Sequence, residues 1–233
     1  MRRLLLALAV LIPVVVVLAY LAAPRLLVGP LAWLAPEVTF YEPTDRPVVA
    51  LTIDDGPQPG TTPALLDVLD RYGARATFFL IGSRAAEHPH LLRRMSAAGH
   101  ELASHDFRDR LSAGVGRRSL EQDLARTRSV LAAHGDAGWF RPGGGVVTGK
   151  VVGAAQAQGH DVALGDVFPL DVSLPWPRFH AWYVLANARP GSIIVLHDRP
   201  DLVEPPARKL ARILPELTRR FRVVTLSRLV AEE

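Results

Sequence analysis

The sequence predicts an α/β protein built on a parallel sheet, open or closed into a barrel, and preceded by one N-terminal transmembrane helix. Three observations carry that expectation. From Val48 onward, short β-branched or aromatic runs alternate with longer helical ones, the signature of strand–helix units and a parallel sheet. Four polar clusters, Asp54-Asp55, His105 to Asp109, Arg141 and His197-Asp198, fall where the predicted strands end. In parallel α/β folds the carboxyl ends of the strands form the reactive face. Ahead of these units stands an uncharged, mostly apolar run over residues 4–23, led by Arg2 and Arg3.

At about 1.5 Å per residue this run would reach about 30 Å, the width of a bilayer's hydrocarbon core. Pro13 interrupts it, and spanning helices tolerate proline. A cleaved secretory signal is the rival reading, since Ala19 to Ala23 offers small residues, yet no clean A-x-A site follows. Both readings export the remainder, with the paired arginines left in the cytoplasm and Arg25 weakening the asymmetry. The expected location is therefore the cell membrane, single-pass with the folded part outside, or the exterior if the segment is cleaved. Residues 24–47 carry Pro24, Pro30, Pro36, Pro43 and Pro47 and read as a connector.

The folded part follows element by element. Residues 48–53 read as a buried strand. Thr62-Pro63 opens a helix that Gly73 ends, with proline suited to the first helical position. Residues 76–81 form a strand, Pro89 opens a helix stopped at Gly99, and residues 101–104 form a short strand. Ser119 with Gln122 suggests a capping box for a helix reaching about His134. Residues 139–141 end a strand, a helix runs from about Thr148 to Gly159, and residues 162–164, 192–196 and 222–225 supply further strands. Helices over residues 178–188 and 206–220 precede the last two.

Composition narrows the function. The 233 residues suffice for one sizeable core, and the net charge of +4 is spread along the chain. No basic stripe with interleaved aromatics and no zinc-finger spacing appears, so nucleic acid is not an expected partner. The chain has no cysteine, so any metal must sit on His, Asp or Glu. Asp54 and Asp55 are followed by Gly56-Pro57, and on this hexapeptide alone a surface turn and a reactive pair are equally good readings.

The motifs taken together resemble those of the polysaccharide deacetylases with a NodB homology domain, carbohydrate esterase family 4. Thr52-Ile53-Asp54-Asp55-Gly56-Pro57 resembles the first motif. Ser104-His105-Asp106-Phe107-Arg108-Asp109, Phe140-Arg141-Pro142-Gly143-Gly144 and Leu196-His197-Asp198 follow in the family's order. The resemblance implies a deformed, incomplete (β/α) barrel over residues 48–233, and hydrolysis of N-acetyl groups on an extracytoplasmic glycan such as peptidoglycan, a chitin-like polymer or poly-N-acetylglucosamine. It implies a divalent metal, Zn²⁺ foremost with Co²⁺ or Mn²⁺ as alternatives; a monomer is expected, though no motif fixes the oligomeric state. By position, Asp54 would be the general base, Asp55 and His105 metal ligands, and Arg141 the partner of Asp54. His197 would be the general acid, the Gly144 N–H an oxyanion donor, and Leu196 a wall of the acetyl pocket.

Two positions depart from the family pattern. Asp109 stands where a second metal-binding His is usual, which leaves two readings. It completes an Asp55–His105–Asp109 set, a harder site than usual, or the site is weakened and the protein binds glycan without cleaving it. In the fourth motif Phe168 replaces an Asp and Val172 a Trp. Asp171 is then the expected partner of His197, with Asp166 as the alternative. Hydrolysis of another small amide or ester also remains open. The other histidines, His88, His90, His100, His134, His160 and His180, lack matching partners and read as structural or solvated. Gly143-Gly144-Gly145 lacks the spacing of a phosphate loop.

Overall fold

The computed structural model describes residues 2–231, and the side chains of residue 9 and of residues 11–231. In chain order the elements are α1 (Arg2–Ala22), α2 (Arg25–Leu34), β1 (Val38–Thr39), β2 (Val48–Asp54), α3 (Thr62–Arg71), β3 (Ala76–Leu80), α4 (Gly82–Glu87), α5 (Pro89–Ala97) and β4 (Glu101–Ser104). They continue with α6 (Arg117–Leu131), β5 (Asp136–Phe140), α7 (Gly149–Ala157), β6 (Asp161–Ala163), α8 (Pro177–Asn187), β7 (Ile193–His197), α9 (Pro206–Arg220), β8 (Arg222–Val224) and α10 (Leu226–Val230).

The strands form a single parallel sheet in the order β1-β6-β5-β4-β3-β2-β7, with β8 also paired to β2. The lower half of β2 pairs with β8 and the upper half with β7, so β2 is the hub of the sheet. The sheet curls into an incomplete barrel. Its open edges meet through backbone contacts of the segment after β1: Tyr41 bridges Ser192, and the Glu42 N–H donates to Gly191 O at 2.9 Å.

Strand alternation sorts the side chains into two layers. Val49, Leu51 and Ile53 of β2, Phe78 and Leu80 of β3, and Ile194 and Leu196 of β7 face outward. They pack in one core with Leu65, Leu66 and Leu69 of α3, Tyr183 and Val184 of α8, and Leu210, Ile213, Leu214 and Leu217 of α9. Val48, Ala50, Phe79, Ala103 and Ile193 face the barrel interior, whose lower end is plugged by Leu226 and Leu229 of α10. The upper interior positions carry Thr52, Asp54 and His197 instead.

Several expectations change here. The proline-rich stretch contains α2 and the edge strand β1 rather than a plain connector. Val28, Ala32 and Ala35 turn one side of α2 to a core of Val38, Phe40, Phe140 and Val162. The Ser119–Gln122 capping box does not form, because α6 starts earlier, at Arg117, with Gly116 as its N-cap. Among the described residues no single helix is long and apolar enough to cross a membrane; Leu11–Ala22 and Arg25–Leu34, bent by 96°, pass that test only as a pair. The side chains of residues 4–8 and of residue 10, part of the expected span, lie outside the described residues.

Candidate active site

The four polar clusters converge at the carboxyl end of the sheet around a cleft of about 660 Å³. Strand register sets the first pair, since Asp54 and His197 are direct partners across β2 and β7. Adjacent residues on a strand diverge, and Asp55 escapes that rule because its backbone is left-handed, with φ +72°. The turn therefore starts at Asp55 itself, one residue before the expected Gly56-Pro57, and both carboxylates line the cleft. A β-carbon residue in this region costs roughly 1–2 kcal/mol, a cost that the surrounding contacts must offset.

Asp54 is buried, and its Oδ1 accepts a hydrogen bond from Arg141 Nη1 at 2.6 Å. The same Nη1 donates to Thr52 Oγ1 at 2.8 Å, and Arg141 Nε donates to Ala163 O at 3.2 Å. The guanidinium lies over the Phe79 ring, 4.0 Å from its centroid. A buried charge-assisted hydrogen bond of this kind fixes its carboxylate in direction.

His105 approaches Asp55 with Nε2, 3.4 Å from Oδ1, while its Nδ1 meets Arg141 O at 2.8 Å. A carbonyl only accepts, so Nδ1 carries a hydrogen. In the neutral ring that leaves the Nε2 lone pair toward Asp55, the tautomer a metal-ligating histidine needs. Two ligands at about 2.0–2.2 Å from a tetrahedral metal lie about 3.3–3.5 Å apart, so this pair fits a shared divalent cation. Burial alone would push the His105 pKa down, but Asp55 and Asp54 outweigh it and raise it. Burial would likewise raise Asp55, and His105, His197 and Arg199 together hold it below the usual carboxylate range.

Asp109 does not join that pair. Its carboxylate lies at the cleft rim, 45% exposed, in an ion pair with Arg84 at 2.8 Å. Arg84 also donates to Asp55 O at 2.7 Å, which fixes the guanidinium between the two. Residues 105 and 109 share no helical face: Asp106 has φ +69°, and the chain there is an irregular turn. Among the described residues no group of three His, Asp or Glu side chains is arranged to hold a metal. Arg199 instead brings Nη1 to 3.5 Å from Asp55 Oδ2. Sequence reasoning missed Arg199, although it directly follows the His197-Asp198 motif.

Asp171, rather than Asp166, meets His197. Its Oδ1 lies 2.7 Å from His197 Nδ1, and its Oδ2 accepts from the His197 N–H at 3.2 Å. Asp166 sits below the site, paired with Arg25. Lys209 was not foreseen: its buried ammonium donates to Asp171 Oδ2 at 2.5 Å. It occupies the apolar stripe of α9 between Pro206 and Ile213, and a cation on such a stripe signals a buried partner. Burial would raise Asp171, but His197 and Lys209 bring its pKa down to about 2. Burial would lower His197; the Asp171 hydrogen bond and the carboxylates Asp54 and Asp55 raise it.

Leu196 does not line the cleft. It faces the outer core, as its position beside inward-facing His197 requires, and Val195 and Leu164 take the inner wall. Phe168 and Val172 form the outer wall, with the Phe168 ring 5.8 Å from His197 in an edge contact. The Gly143-Gly144 turn lies opposite. A Cβ on Gly143 would stand 2.1 Å from Arg110 O, and one on Gly144 (φ +77°) 2.6 Å from a Leu111 methyl, so only glycine fits. Ser112 Oγ accepts the Gly143 N–H at 2.8 Å, and Pro142 O the Gly145 N–H at 2.9 Å.

Asp198 is buried beneath this surface, where the hydroxyls of Thr61 and Thr62 donate to it, and burial pushes its pKa up to about 6. Thus it fixes the α3 loop rather than lining the cleft. His100 Nδ1 accepts from the Ala76 N–H at 3.2 Å, a structural role.

A polysaccharide deacetylase family profile matches residues 41–163. A peptidoglycan-N-acetylglucosamine deacetylase of Bacillus cereus is 33% identical over 202 residues, covering 83% of this chain and 92% of that one. A chitooligosaccharide deacetylase of Sinorhizobium fredii is 40% identical over 158 residues, covering 66% and 74%. Among solved structures, a peptidoglycan N-acetylglucosamine deacetylase superposes with TM-score 0.78 at 28% identity, covering 85% of this chain and 95% of that one.

Proposed function

Because the chain belongs to the polysaccharide deacetylase family of hydrolases, carbohydrate esterase family 4, we propose that it removes acetyl groups from N-acetylglucosamine units of an extracytoplasmic glycan. The single observation that carries this reading is the pairing of two oppositely assigned groups on neighbouring strands that line one cleft. Buried Asp54, held by Arg141, stands beside His197, whose proton is held by Asp171. A base and an acid side by side at one bound amide are what hydrolysis near neutral pH requires.

In this mechanism Asp54 takes the proton from the attacking water. Arg141 keeps the Asp54 carboxylate aimed at that water through its hydrogen bond to Oδ1. His197, with its pKa raised above the ordinary 6.5, carries a proton near neutrality and delivers it to the departing amine. Asp171 holds the ring through Nδ1, which leaves Nε2 to make that delivery. The Gly144 N–H, beside two N–H groups already engaged within the turn, serves as the donor to the oxyanion. Val195 and Leu164 enclose the acetyl methyl, in place of Leu196. A divalent cation held by Asp55 and His105 would supply a hydroxide-like nucleophile by lowering the pKa of a water from 15.7 to about 7. Zn²⁺ suits the nitrogen–oxygen donor pair, with Co²⁺ or Mn²⁺ able to substitute.

The relatives named for peptidoglycan and chitooligosaccharides support a β-linked N-acetylglucosamine polymer as substrate. The apolar residues ahead of Tyr20 support attachment to the cell membrane with the cleft outside. The test is acetate release by the full chain, purified in detergent, from chitooligosaccharides and from peptidoglycan with Zn²⁺, Co²⁺ or Mn²⁺. Release that disappears in Asp54→Asn and His197→Ala is expected, whereas no release with any of the metals would sink the proposal.

A second reading, glycan binding without cleavage, is favoured by two observations: Asp109 turned to Arg84, and Arg199 placed near Asp55. It predicts glycan binding without added metal, and unchanged affinity in Asp54→Asn.

A further inference from the structure

The N-terminal segment is tied to the loop that carries the partner of His197. Tyr20, near the end of α1, donates from Oη to Phe168 O at 2.6 Å. Its ring stacks on Tyr183 of α8, with centroids 4.8 Å apart, and Asn187 Nδ2 donates to Leu21 O at 3.1 Å. Just beyond the bend, Arg25 donates from Nε to Asp166 Oδ2 at 2.7 Å and from Nη2 to Pro190 O at 2.9 Å and Ser192 Oγ at 3.2 Å. The Asp166 carboxylate is buried, and accepts also from Ser192 Oγ at 3.0 Å and the Ile193 N–H at 2.8 Å.

Asp166, Phe168 and Asp171 lie on one short loop between β6 and α8. Its start is pinned by Arg25, its middle by Tyr20, and its end by His197 and Lys209. Phe168 forms the outer wall of the cleft against His197, and Asp171 holds the His197 ring. A carboxylate as buried as Asp166 is tolerated only with a charged partner. Among the described residues that partner comes from the N-terminal segment alone. A composition-based reading of residues 1–23 as a tether assigns no such duty.

We propose that Tyr20 and Arg25 are positioning residues of the catalytic domain, which clamp the 165–172 loop so that the Phe168 wall and Asp171 are set for substrate. The proposal rests on the deacetylase reading for its kinetic readout. It also implies that the segment through Arg25 stays with the folded domain, since removing it would uncover Tyr183 and leave Asp166 buried without its cation.

The test uses the full chain in detergent with chitooligosaccharides, and the variants Tyr20→Phe, Arg25→Met and Arg25→Lys. Tyr20→Phe keeps the ring stack and removes only the hydrogen bond to Phe168 O. Its kcat/KM should fall about 3- to 10-fold, the value of one hydrogen bond, at temperatures well below unfolding. The KM part of that loss should vanish in a Phe168→Ala background. Arg25→Met should lower kcat further, with Arg25→Lys recovering part of it. If Tm drops while kcat and KM of both Tyr20→Phe and Arg25→Met stay within about twofold of the parent, the segment is only structural and the proposal is overturned. Should the parent itself release no acetate, the deacetylase reading fails and amide hydrogen exchange of residues 165–172 decides the clamp. Faster exchange in Tyr20→Phe supports it, and unchanged exchange in both variants overturns it.

Discussion

Lys209 and Asp109 are the residues whose environments most reshape the site. Lys209 is buried with Asp171 as its partner, and removing one member of a buried ion pair costs about 3–5 kcal/mol. Lys209→Met should destabilise the chain by about that amount, while the double variant Lys209→Met/Asp171→Asn loses less than the sum of the two single changes, as read by denaturant midpoints. Asp109 points to Arg84. Asp109→Ala should therefore leave bound Zn²⁺ after dialysis unchanged, as measured by elemental analysis. Loss of metal in Asp109→Ala would instead place its carboxylate among the ligands. His100 gives a pH prediction away from the cleft. Burial, with Arg75 adding to it, pulls its pKa down to about 4 against 6.5 when unfolded. The unfolded chain then binds the extra proton between those values, so stability present above pH 6.5 declines as pH falls toward 4, by on the order of 3 kcal/mol. His100→Gln, which keeps an acceptor for the Ala76 N–H, should flatten that slope.

At the scale of elements, the Gly143-Gly144 turn is the most constrained piece of the cleft. Gly143→Ala would drive its methyl into Arg110 O, so the turn and its N–H groups must move. A loss of at least tenfold in kcat/KM is expected, with about 1–3 kcal/mol of stability. Strand and helix identities from β2 to β8 were mostly legible in the sequence, because apolar period and Gly-Pro punctuation agree there. What escaped were α4, α10 and β1, which have too few residues for a period to show, and α2, whose Pro30 and flanking prolines read as a connector. The Asp54, Arg141 and His197 constellation was legible from its motifs. Arg199 and Lys209 were not, because each acts through a side chain brought near by tertiary packing. Leu196 was misplaced through position-by-position transfer, although alternation beside His197 would have turned it outward.

The molecule as a whole joins a curled sheet to an N-terminal helix that packs on it. If Asp55 and His105 hold Zn²⁺, saturating metal stabilises the folded state by mass action, about 2.7 kcal/mol at 100 times the dissociation constant. Thermal unfolding of the full chain should shift upward with Zn²⁺ and return with a chelator, and His105→Ala should abolish the shift. If the apolar run holds the chain to a membrane, the full chain should fractionate with membranes in cells and resist extraction by high salt, since surface charge would not be the tie.

The position of β2 at the hub of the sheet sets an order of events in time. The strand bearing Asp54 is made early, but its partners β7 and β8 lie in the last 41 residues of the chain, from Ile193 onward. Until those residues emerge, one edge of β2 has no neighbour and Asp54 has no His197 opposite it. A nascent chain is thus silent as an enzyme until β7 and β8 have emerged, and competence arrives when these later strands dock on the oldest strand of the cleft.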